Sequence, residues 1–209
     1  MTRILLVRHG HVPGIAPAQF RGRTNLELTP HGLAQARATA HRIAQSWRPE
    51  MIYTSPLQRC LMTGRLISEA TGTRSQVLDD LNDLDYGKWQ GQTHTAVRER
   101  VPAEYALWRN SPDLVRFPEG ESLQDLALRA ADVLRFVIER HAEGTIVLVG
   151  HDAGIRALLL QSLGLPLSAY WRITPDPAAL CEIVWAEGRL SVVRMNETAH
   201  LTGLVPSDE

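Results

Sequence analysis

The stretch ILLVRHGHVPG, residues 4–14, places an arginine, two histidines and two glycines directly after four aliphatic residues. A short apolar run followed by a glycine turn is typical of a buried strand that ends at a loop. The loop permits two interpretations. His9 and His11 have the spacing of a pair of metal ligands, whereas Arg8 and His9 could hold and attack a phosphate.

The composition of the whole chain is typical of a globular protein. Its 209 residues, of which 44% are hydrophobic and 22% charged, predict a single domain over residues 1–209 with a sizeable core. The formal net charge of −1 gives no reason to expect nucleic acid or an anionic membrane as a partner.

The cysteines and the N-terminus bear on the compartment. Cys60 and Cys181 are far apart and outside a CxxC pattern, so neither a disulfide framework nor a thiolate zinc site is predicted. The apolar run at residues 4–7 is too short for a signal sequence or a transmembrane helix. We therefore expect a cytoplasmic protein without a membrane partner.

Strands alternate with helices along most of the chain. Strands are predicted at residues 3–7, 51–54, 76–78 and 145–149, and helices after Thr29-Pro30, after Ser55-Pro56, after Ser122 and over residues 153–163. This alternation favours an α/β fold of three layers, α/β/α, with a mostly parallel sheet. Residues 179–195 predict a C-terminal hairpin that turns at Glu187-Gly188 and gives the sheet a mixed edge.

The region 80–121 differs from the rest of the chain because it is rich in loops. Helical pieces are predicted only near residues 93–100 and 103–109. We expect this loop-rich, part-helical segment to cap the functional site.

Ligands of such sheets bind beyond the carboxyl ends of the strands. Arg8 and His9 follow the first predicted strand. Arg59 lies in the first turn of the helix after the second, and His151 follows the strand at residues 145–149. A lone histidine is usually a structural residue, but these four side chains come from remote segments. Their convergence at one sheet edge predicts a common site.

The chemistry of the four side chains suits a phosphate. Two guanidiniums can bind phosphate oxygens through bidentate, charge-assisted hydrogen bonds. Nearby positive charge disfavours protonation of an imidazole, and neutral imidazole is the nucleophilic form that covalent phosphoryl transfer requires. Gly10 would allow the backbone to approach the anion closely.

A metal site fits the same residues less well. The histidines and Asp152 could form a ligand set, but Arg8 is adjacent to it and Arg59 is expected nearby. Two permanent positive charges disfavour a divalent cation at that place. We therefore predict no metal, and no motif in the sequence requires another cofactor.

Four motifs occur in an order that resembles the histidine phosphatase superfamily, the phosphoglycerate-mutase-like group. They are RHG at residues 8–10, SPLQR at 55–59, LNDLDYGKWQG at 81–91 and a strand that ends in VGH at 149–151. GRTNLELTPHGLAQA, PEGESL and NETAHL resemble bacterial members of a phosphatase-type branch, and the resemblance extends from about residue 3 to 201. It implies a phosphoglycerate-mutase-like α/β/α fold and a phosphohistidine mechanism without metal.

The resemblance also implies roles for individual residues. His9 would be the nucleophile. Arg8, Arg59 and His151 would bind the phosphoryl group and stabilise the charge of its transition state.

The leaving alkoxide needs a proton, for which the sequence offers two carboxyl groups. Asp83 stands where many relatives have glutamate, and we favour it as the acid. Asp152 is the alternative, because the acid-phosphatase branch uses a His-Asp pair there, but it could instead cap the helix over residues 153–163. An ordinary aspartate has a pKa of about 3.9, so either residue needs a raised pKa to act as an acid at neutral pH.

Two departures from the family pattern predict an altered rim around the pocket. His11 stands where relatives commonly have Glu or Gln, and Ile15 where an asparagine often contributes to the phosphate pocket. Arg21 and Arg23 lie on a predicted irregular loop, residues 14–25. Each of these arginines either contacts the substrate or is a solvated surface residue.

The predicted activity is hydrolysis of a small phosphorylated metabolite. The region between Gly91 and His151 is shorter than in the usual cofactor-dependent phosphoglycerate mutases, which favours a site open to water. A mutase is the alternative. A non-catalytic phospho-ligand-binding protein is a second alternative, against which the intact histidines and arginines argue. The sequence leaves the individual ester and the oligomeric state open.

Overall fold

The computed structural model describes residues 1–15 and 17–204. Within these residues the strands are β1 (Thr2–Arg8), β2 (Met51–Thr54), β3 (Ser75–Val77), β4 (Gly144–Gly150), β5 (Leu180–Ala186) and β6 (Arg189–Glu197). The α-helices are α1 (Pro30–Ser46), α2 (Gln58–Thr71), α3 (His94–Arg100), α4 (Pro102–Asn110), α5 (Leu123–Arg140) and α6 (Asp152–Ser162). The predicted domain and the predicted loop 14–25 also include residues 205–209 and Ala16, which lie outside the described part.

The described strands form a six-stranded sheet in the order β3-β2-β4-β1-β5-β6. The pairs β1–β4, β2–β4 and β2–β3 are parallel. β5 runs antiparallel to β1, and β6 antiparallel to β5. The prediction of a mostly parallel sheet with a mixed edge is therefore confirmed. The carboxyl ends of β1, β2 and β4 meet at one edge, which is where the site residues follow.

Helices cover both faces of the sheet, as predicted. Because side chains alternate along a strand, Leu5 and Val7 of β1 pack with α1 and α2, while Ile4 and Leu6 pack with α5 and α6. All four side chains are fully buried. Burial on both faces explains why β1 is a continuous apolar run instead of an alternating one.

Local sequence signals fix the start of two helices. The Thr29 side chain accepts from the backbone N–H of Gly32 and caps α1. Ser122 and Asp125 form a reciprocal capping box at the start of α5. In the C-terminal hairpin, Glu187 and Gly188 adopt positive φ angles of 52° and 75°, as a tight two-residue turn requires. These three predictions are confirmed.

The predicted helix start at Ser55-Pro56 is wrong. α2 begins at Gln58, two residues after the predicted first helical residue Pro56, and its N-cap residue Leu57 makes no side-chain capping bond. Instead, Asn25 of the 14–25 loop accepts from the backbone N–H of Gln58 at 2.9 Å. Since a distant side chain satisfies this amide, the Ser55 hydroxyl is left for another partner.

The region 80–121 is loop-rich and part-helical, with α3 and α4 close to their predicted positions. Its aromatic side chains pack into the main core. Phe117 contacts Tyr86, Trp89 and Trp108 at ring-centroid distances of 4.9, 5.1 and 5.1 Å. This packing holds the segment that carries Asp83 against the sheet edge.

No helix in the described part of the chain is both long enough and apolar enough to cross a lipid bilayer.

Candidate active site

Arg59 lies at the centre of the site. It is the second residue of α2, and its side chain is completely buried. Its Nε lies 3.2 Å from Nε2 of His9 and 3.2 Å from Nδ1 of His151. Its Nη2 lies 3.2 Å from Oδ2 of Asp83. The structure therefore brings both predicted histidines and the favoured acid to one guanidinium.

Backbone carbonyls hold this guanidinium in place. Arg59 donates from Nη1 to the carbonyl of Thr24 and from Nη2 to the carbonyl of Gly22, each at 2.7 Å. Both carbonyls belong to the 14–25 loop, which was predicted only as irregular. The loop thus orients Arg59, and Arg59 in turn fixes the loop.

His9 presents one ring nitrogen to the centre of the site. Its Nδ1 donates to the carbonyl of Gly10 at 2.7 Å, which places the proton there. Nε2 therefore carries a lone pair and accepts from Arg59. Burial, followed by the charges of His151, Arg59 and Arg8, holds the pKa of His9 well below its usual value. The sequence predicted this direction from the charges, but burial is the larger cause.

His151 lies beside His9, with ring centroids 5.3 Å apart. Its Nε2 is 2.7 Å from Oγ of Ser55. Burial and the charges of Arg59 and Arg8 hold the pKa of His151 well below its usual value. A neutral ring has one donor nitrogen. Since Nδ1 accepts from Arg59, Nε2 donates to Ser55.

Arg8 is the last residue of β1 and is buried. Its Nη1 donates to the carbonyl of Pro175 at 2.6 Å and lies 3.8 Å from Oδ1 of Asp152. Its buried Nε has no hydrogen-bond partner among the described residues. A buried N–H of a charged group normally has a partner, so this one suits an anion that binds in the pocket.

The Asp83 carboxyl is buried next to Arg59. Burial raises its pKa, although Arg59 and a hydrogen bond from the backbone of Leu84 act in the opposite direction. Asp83 Oδ2 also lies 3.6 Å from Nδ1 of His151. Burial thus gives Asp83 the kind of shift that a general acid requires.

A charged network fixes the backbone around Asp83. Arg129 donates to the carbonyls of Asp80 and Asn82 at 2.8 and 3.1 Å. Glu121, from the PEGESL motif, accepts from Arg129 at 2.9 Å and from Arg23 at 2.7 Å. Arg23 thus makes structural contacts, which neither of its two predicted roles included.

Asp152 has a different environment from Asp83. It pairs with Arg156 at 2.9 Å and, more distantly, with Arg8. The prediction that it caps its helix is wrong, because His151 is the N-cap residue and no side chain caps α6. Asp152 is the first helical residue, where an ionised carboxylate interacts favourably with the helix dipole.

The remaining predicted pocket residues are Gly10, His11 and Arg21. A Cβ on Gly10 would lie 2.3 Å from the carbonyl oxygen of Gly32, so the close approach that Gly10 allows is to α1. His11 directs Nδ1 towards Oγ1 of Thr29 at 3.0 Å. Arg21 donates to the carbonyl of Gly14 at 2.7 Å. Burial and the charge of Arg8 lower the pKa of Arg21, and the charge of Arg59 acts in the same direction, so Arg21 lies close to both arginines.

Metal-ligating side chains do not converge in the same way. Across residues 1–15 and 17–204, no three His, Cys, Asp or Glu side chains are arranged to hold a metal ion.

Comparison with known proteins agrees with this geometry. Residues 4–198 match the sequence model of the histidine phosphatase superfamily (branch 1). The chain belongs to this superfamily. This histidine phosphatase is 31% identical to phosphoserine phosphatase 1 of Hydrogenobacter thermophilus over 201 residues, which cover 96% of this chain and 95% of that protein.

Solved structures share the fold of this histidine phosphatase. Bacillus stearothermophilus YhfR matches with a TM-score of 0.91 at 23% identity, covering 96% of this chain and 100% of that one. A phosphoserine phosphatase of Entamoeba histolytica, solved as a mutant in complex with phosphoserine, matches with a TM-score of 0.86 at 25% identity, with the same coverage. The predicted family, fold and enzyme class are confirmed.

Sequence reasoning about this histidine phosphatase missed Ser55. Ser55 directly follows the last residue of β2, and it lies in the SPLQR motif. Its position after a strand was the available signal. The Ser-Pro pair was instead interpreted as a helix start, which concealed the contact with His151.

Proposed function

We propose that this histidine phosphatase hydrolyses small phosphomonoesters through a phosphohistidine formed on His9, and that phosphoserine is a substrate. One observation carries the proposal: Nε of Arg59 lies 3.2 Å from both Nε2 of His9 and Nδ1 of His151. A phosphoryl group at that point would meet a neutral nucleophile and a permanent cation together.

The first step transfers the phosphoryl group to the enzyme. Nε2 of His9 attacks phosphorus while the ester P–O bond breaks. Arg8 and Arg59 neutralise the charge that the phosphoryl oxygens carry in the transition state, an arrangement worth more in a dry site than in water. Asp83 supplies a proton to the leaving alkoxide, which departs as an alcohol.

The second step regenerates the enzyme. Water attacks the phosphohistidine, and the Asp83 carboxylate accepts its proton. The N–P bond breaks, inorganic phosphate leaves, and His9 returns to its neutral form. Asp83 ends the cycle protonated and His9 unmodified, so atoms and charges balance.

Two observations support a small phosphorylated substrate such as phosphoserine. The chain is similar over nearly its whole length to a phosphoserine phosphatase, and a structural relative was solved with phosphoserine bound. We also propose a single domain in which the region 80–121 covers the site. The free thiols of Cys60 and Cys181 support a reducing, cytoplasmic location. The formal net charge of −1 supports a protein with neither nucleic acid nor membrane as a partner.

The test combines a substrate panel with phosphoenzyme trapping. Purified protein is incubated with phosphoserine, 3-phosphoglycerate and p-nitrophenyl phosphate in the presence of a chelator, and released phosphate is measured. Acid-labile label from ³²P-phosphoserine should map to His9 and be absent in His9→Ala. His41→Ala, which alters an exposed histidine of α1, should retain hydrolysis and label.

Two results would contradict the proposal. A phosphoryl label on a residue other than His9 would reject the mechanism. Interconversion of phosphoglycerates without release of phosphate would instead indicate a mutase.

A further inference from the structure

One short segment contacts both Arg8 and His9. It comprises residues 175–179 and is called the 175–179 segment here. The carbonyl of Pro175 accepts from the Arg8 guanidinium at 2.6 Å. The N–H of Ala178 donates to the carbonyl of His9 at 3.1 Å, and the carbonyl of Ala179 accepts from the N–H of Arg8 at 3.2 Å. The position of this segment therefore sets the position of both residues.

The 175–179 segment does not adopt its conformation by local preference. Ala178 has a φ of 60°, in the left-handed region that residues with a side chain rarely occupy. Its side chain is completely buried. Such a conformation persists only where the surrounding structure imposes it.

His200 and Thr39 supply one part of that surrounding structure. The Ala178 carbonyl accepts from Thr39 Oγ1 at 2.9 Å and lies 3.2 Å from Nε2 of His200. Thr39 Oγ1 and His200 Nε2 are 3.0 Å apart. His200 Nδ1 is buried and has no hydrogen-bond partner among the described residues. An unbonded N–H there would be costly, so the ring proton is on Nε2 and is directed at Ala178 and Thr39.

Asn196 supplies a second part. Its Oδ1 accepts from the N–H of Asp176 at 2.7 Å, and its Nδ2 donates to the Asp176 carboxylate at 2.8 Å. Asn196 and His200 are the first and fifth residues of NETAHL, the closing motif of the sequence. This motif has no role in binding or chemistry in the mechanism above.

We propose that His200 and Asn196 are positioning residues, which keep Arg8 and His9 in their productive arrangement by holding the 175–179 segment. The inference rests on the proposed function of His9 as the nucleophile. The chain of contacts runs from the C-terminal motif to the 175–179 segment, and from there to the end of β1. Small displacements of reacting groups have large effects on rate, so loss of these contacts lowers kcat.

The experiment measures His200→Ala at a temperature well below its Tm. We expect kcat for phosphoserine to fall about 10-fold, with KM little changed because Arg59 still binds the phosphate. Long-range ¹H–¹⁵N spectra of the histidine rings report the tautomer of His9 without requiring hydrolysis. His200→Ala should shift the His9 signals away from the pure Nδ1–H form. His200→Gln, whose amide can still donate to Ala178, should restore both kcat and spectrum.

Glu197→Gln is the matched control. Glu197 lies in the same motif but bonds to Arg42 and Arg194, so kcat and the His9 signals should not change even where Tm falls. Thr39→Val provides a second variant, in which we expect a smaller change in the same direction as His200→Ala.

The outcomes separate the two proposals. A wild-type His9 spectrum or a wild-type kcat in His200→Ala would overturn the positioning role, as would an equal loss of kcat in Glu197→Gln. If the wild type hydrolyses no ester, the proposed function fails, and the spectra of these variants alone decide the positioning role.

Discussion

The Ser55 hydroxyl, directly after β2, lies 2.7 Å from Nε2 of His151, while Nδ1 of the same ring contacts Arg59. A serine hydroxyl both donates and accepts, so this contact serves either neutral tautomer of His151. In the structure, Nδ1 accepts from Arg59 and Nε2 donates to Ser55. If a phosphate oxygen binds at Nδ1, the ring proton can instead be on Nδ1 and face the phosphate. Ser55 then donates to Nε2.

Ser55→Ala should therefore lower both stability and turnover. It leaves the buried Nε2 of His151 with only the weak contact to Cys60 Sγ at 3.5 Å, which costs about 1–3 kcal/mol of unfolding free energy. We expect a lower kcat/KM and weaker inhibition by inorganic phosphate, because the tautomer that donates to phosphate loses its support. Ser55→Thr keeps the hydroxyl and should stay close to wild type. Equal kcat/KM for the alanine and threonine variants would refute this role.

Asp83→Asn and Asp152→Asn distinguish the two candidate acids. An alkoxide needs a proton to leave and a nitrophenolate hardly does, and general acid catalysis contributes about 10²–10⁴-fold. In single-turnover measurements, Asp83→Asn should lower the rate of phosphoserine hydrolysis about 100-fold or more. The rate of p-nitrophenyl phosphate hydrolysis should fall far less. Asp152→Asn should be milder on both esters, since Asp152 is paired with Arg156. The reverse ranking would assign the acid to Asp152.

Stability should fall as the pH is lowered below about 6.5. His9 and His151 have strongly lowered pKa values in the folded protein, so below that pH the unfolded chain takes up protons that the native state does not. Each histidine then lowers the unfolding free energy by about 1.4 kcal/mol for each unit by which the pH falls. The raised pKa of Asp83 acts in the opposite direction, since its contribution is lost as the pH rises through that pKa.

His151→Gln isolates one of these contributions. Urea unfolding of the wild type and of the variant between pH 7.5 and 5.5 gives two slopes of unfolding free energy against pH. The variant should have the shallower slope. Parallel slopes would mean that His151 is protonated as readily in the native state as in the unfolded chain.

Gly10→Ala should destabilise the protein because of α1. The added Cβ would lie 2.3 Å from the backbone oxygen of Gly32, which cannot move without moving the helix. Overpacking of this kind costs about 1–3 kcal/mol, or a fall of several degrees in Tm. Gly150→Ala is the control, since the nearest heavy atom to its Cβ would be 3.9 Å away. Thermal unfolding of both variants tests the difference, and an equal Tm would contradict it.

The sequence predicted the parts of the site that follow from local signals and topology. Strand ends were recognisable as apolar runs that stop at Arg8 and Gly150, and parallel strands bring their carboxyl ends to one edge. The convergence of Arg59 and His151 followed from that rule. The direction of the histidine pKa shift followed from the neighbouring charges.

The parts that the sequence did not predict depend on long-range contacts. Ser55-Pro56 has the local pattern of a helix start, but a side chain from the 14–25 loop reaches α2 instead. Arg23 gave no sign of its contact with Glu121, 98 residues away in the chain. Ala178 is an ordinary residue in the sequence, and long-range contacts of its carbonyl with Thr39 and His200 support its backbone conformation.

The contact between Arg59 and Asp83 links substrate binding to proton uptake. In the structure, Arg59 lies against Asp83 and partly offsets the rise in the pKa of Asp83 that burial causes. A phosphate dianion bound to Arg59 competes for this guanidinium and places negative charge beside Asp83, and both changes raise the pKa of Asp83 further. Binding of the phosphate therefore favours the protonated form of Asp83. In the proposed mechanism, the substrate thus stabilises the proton on the acid that releases its own alcohol.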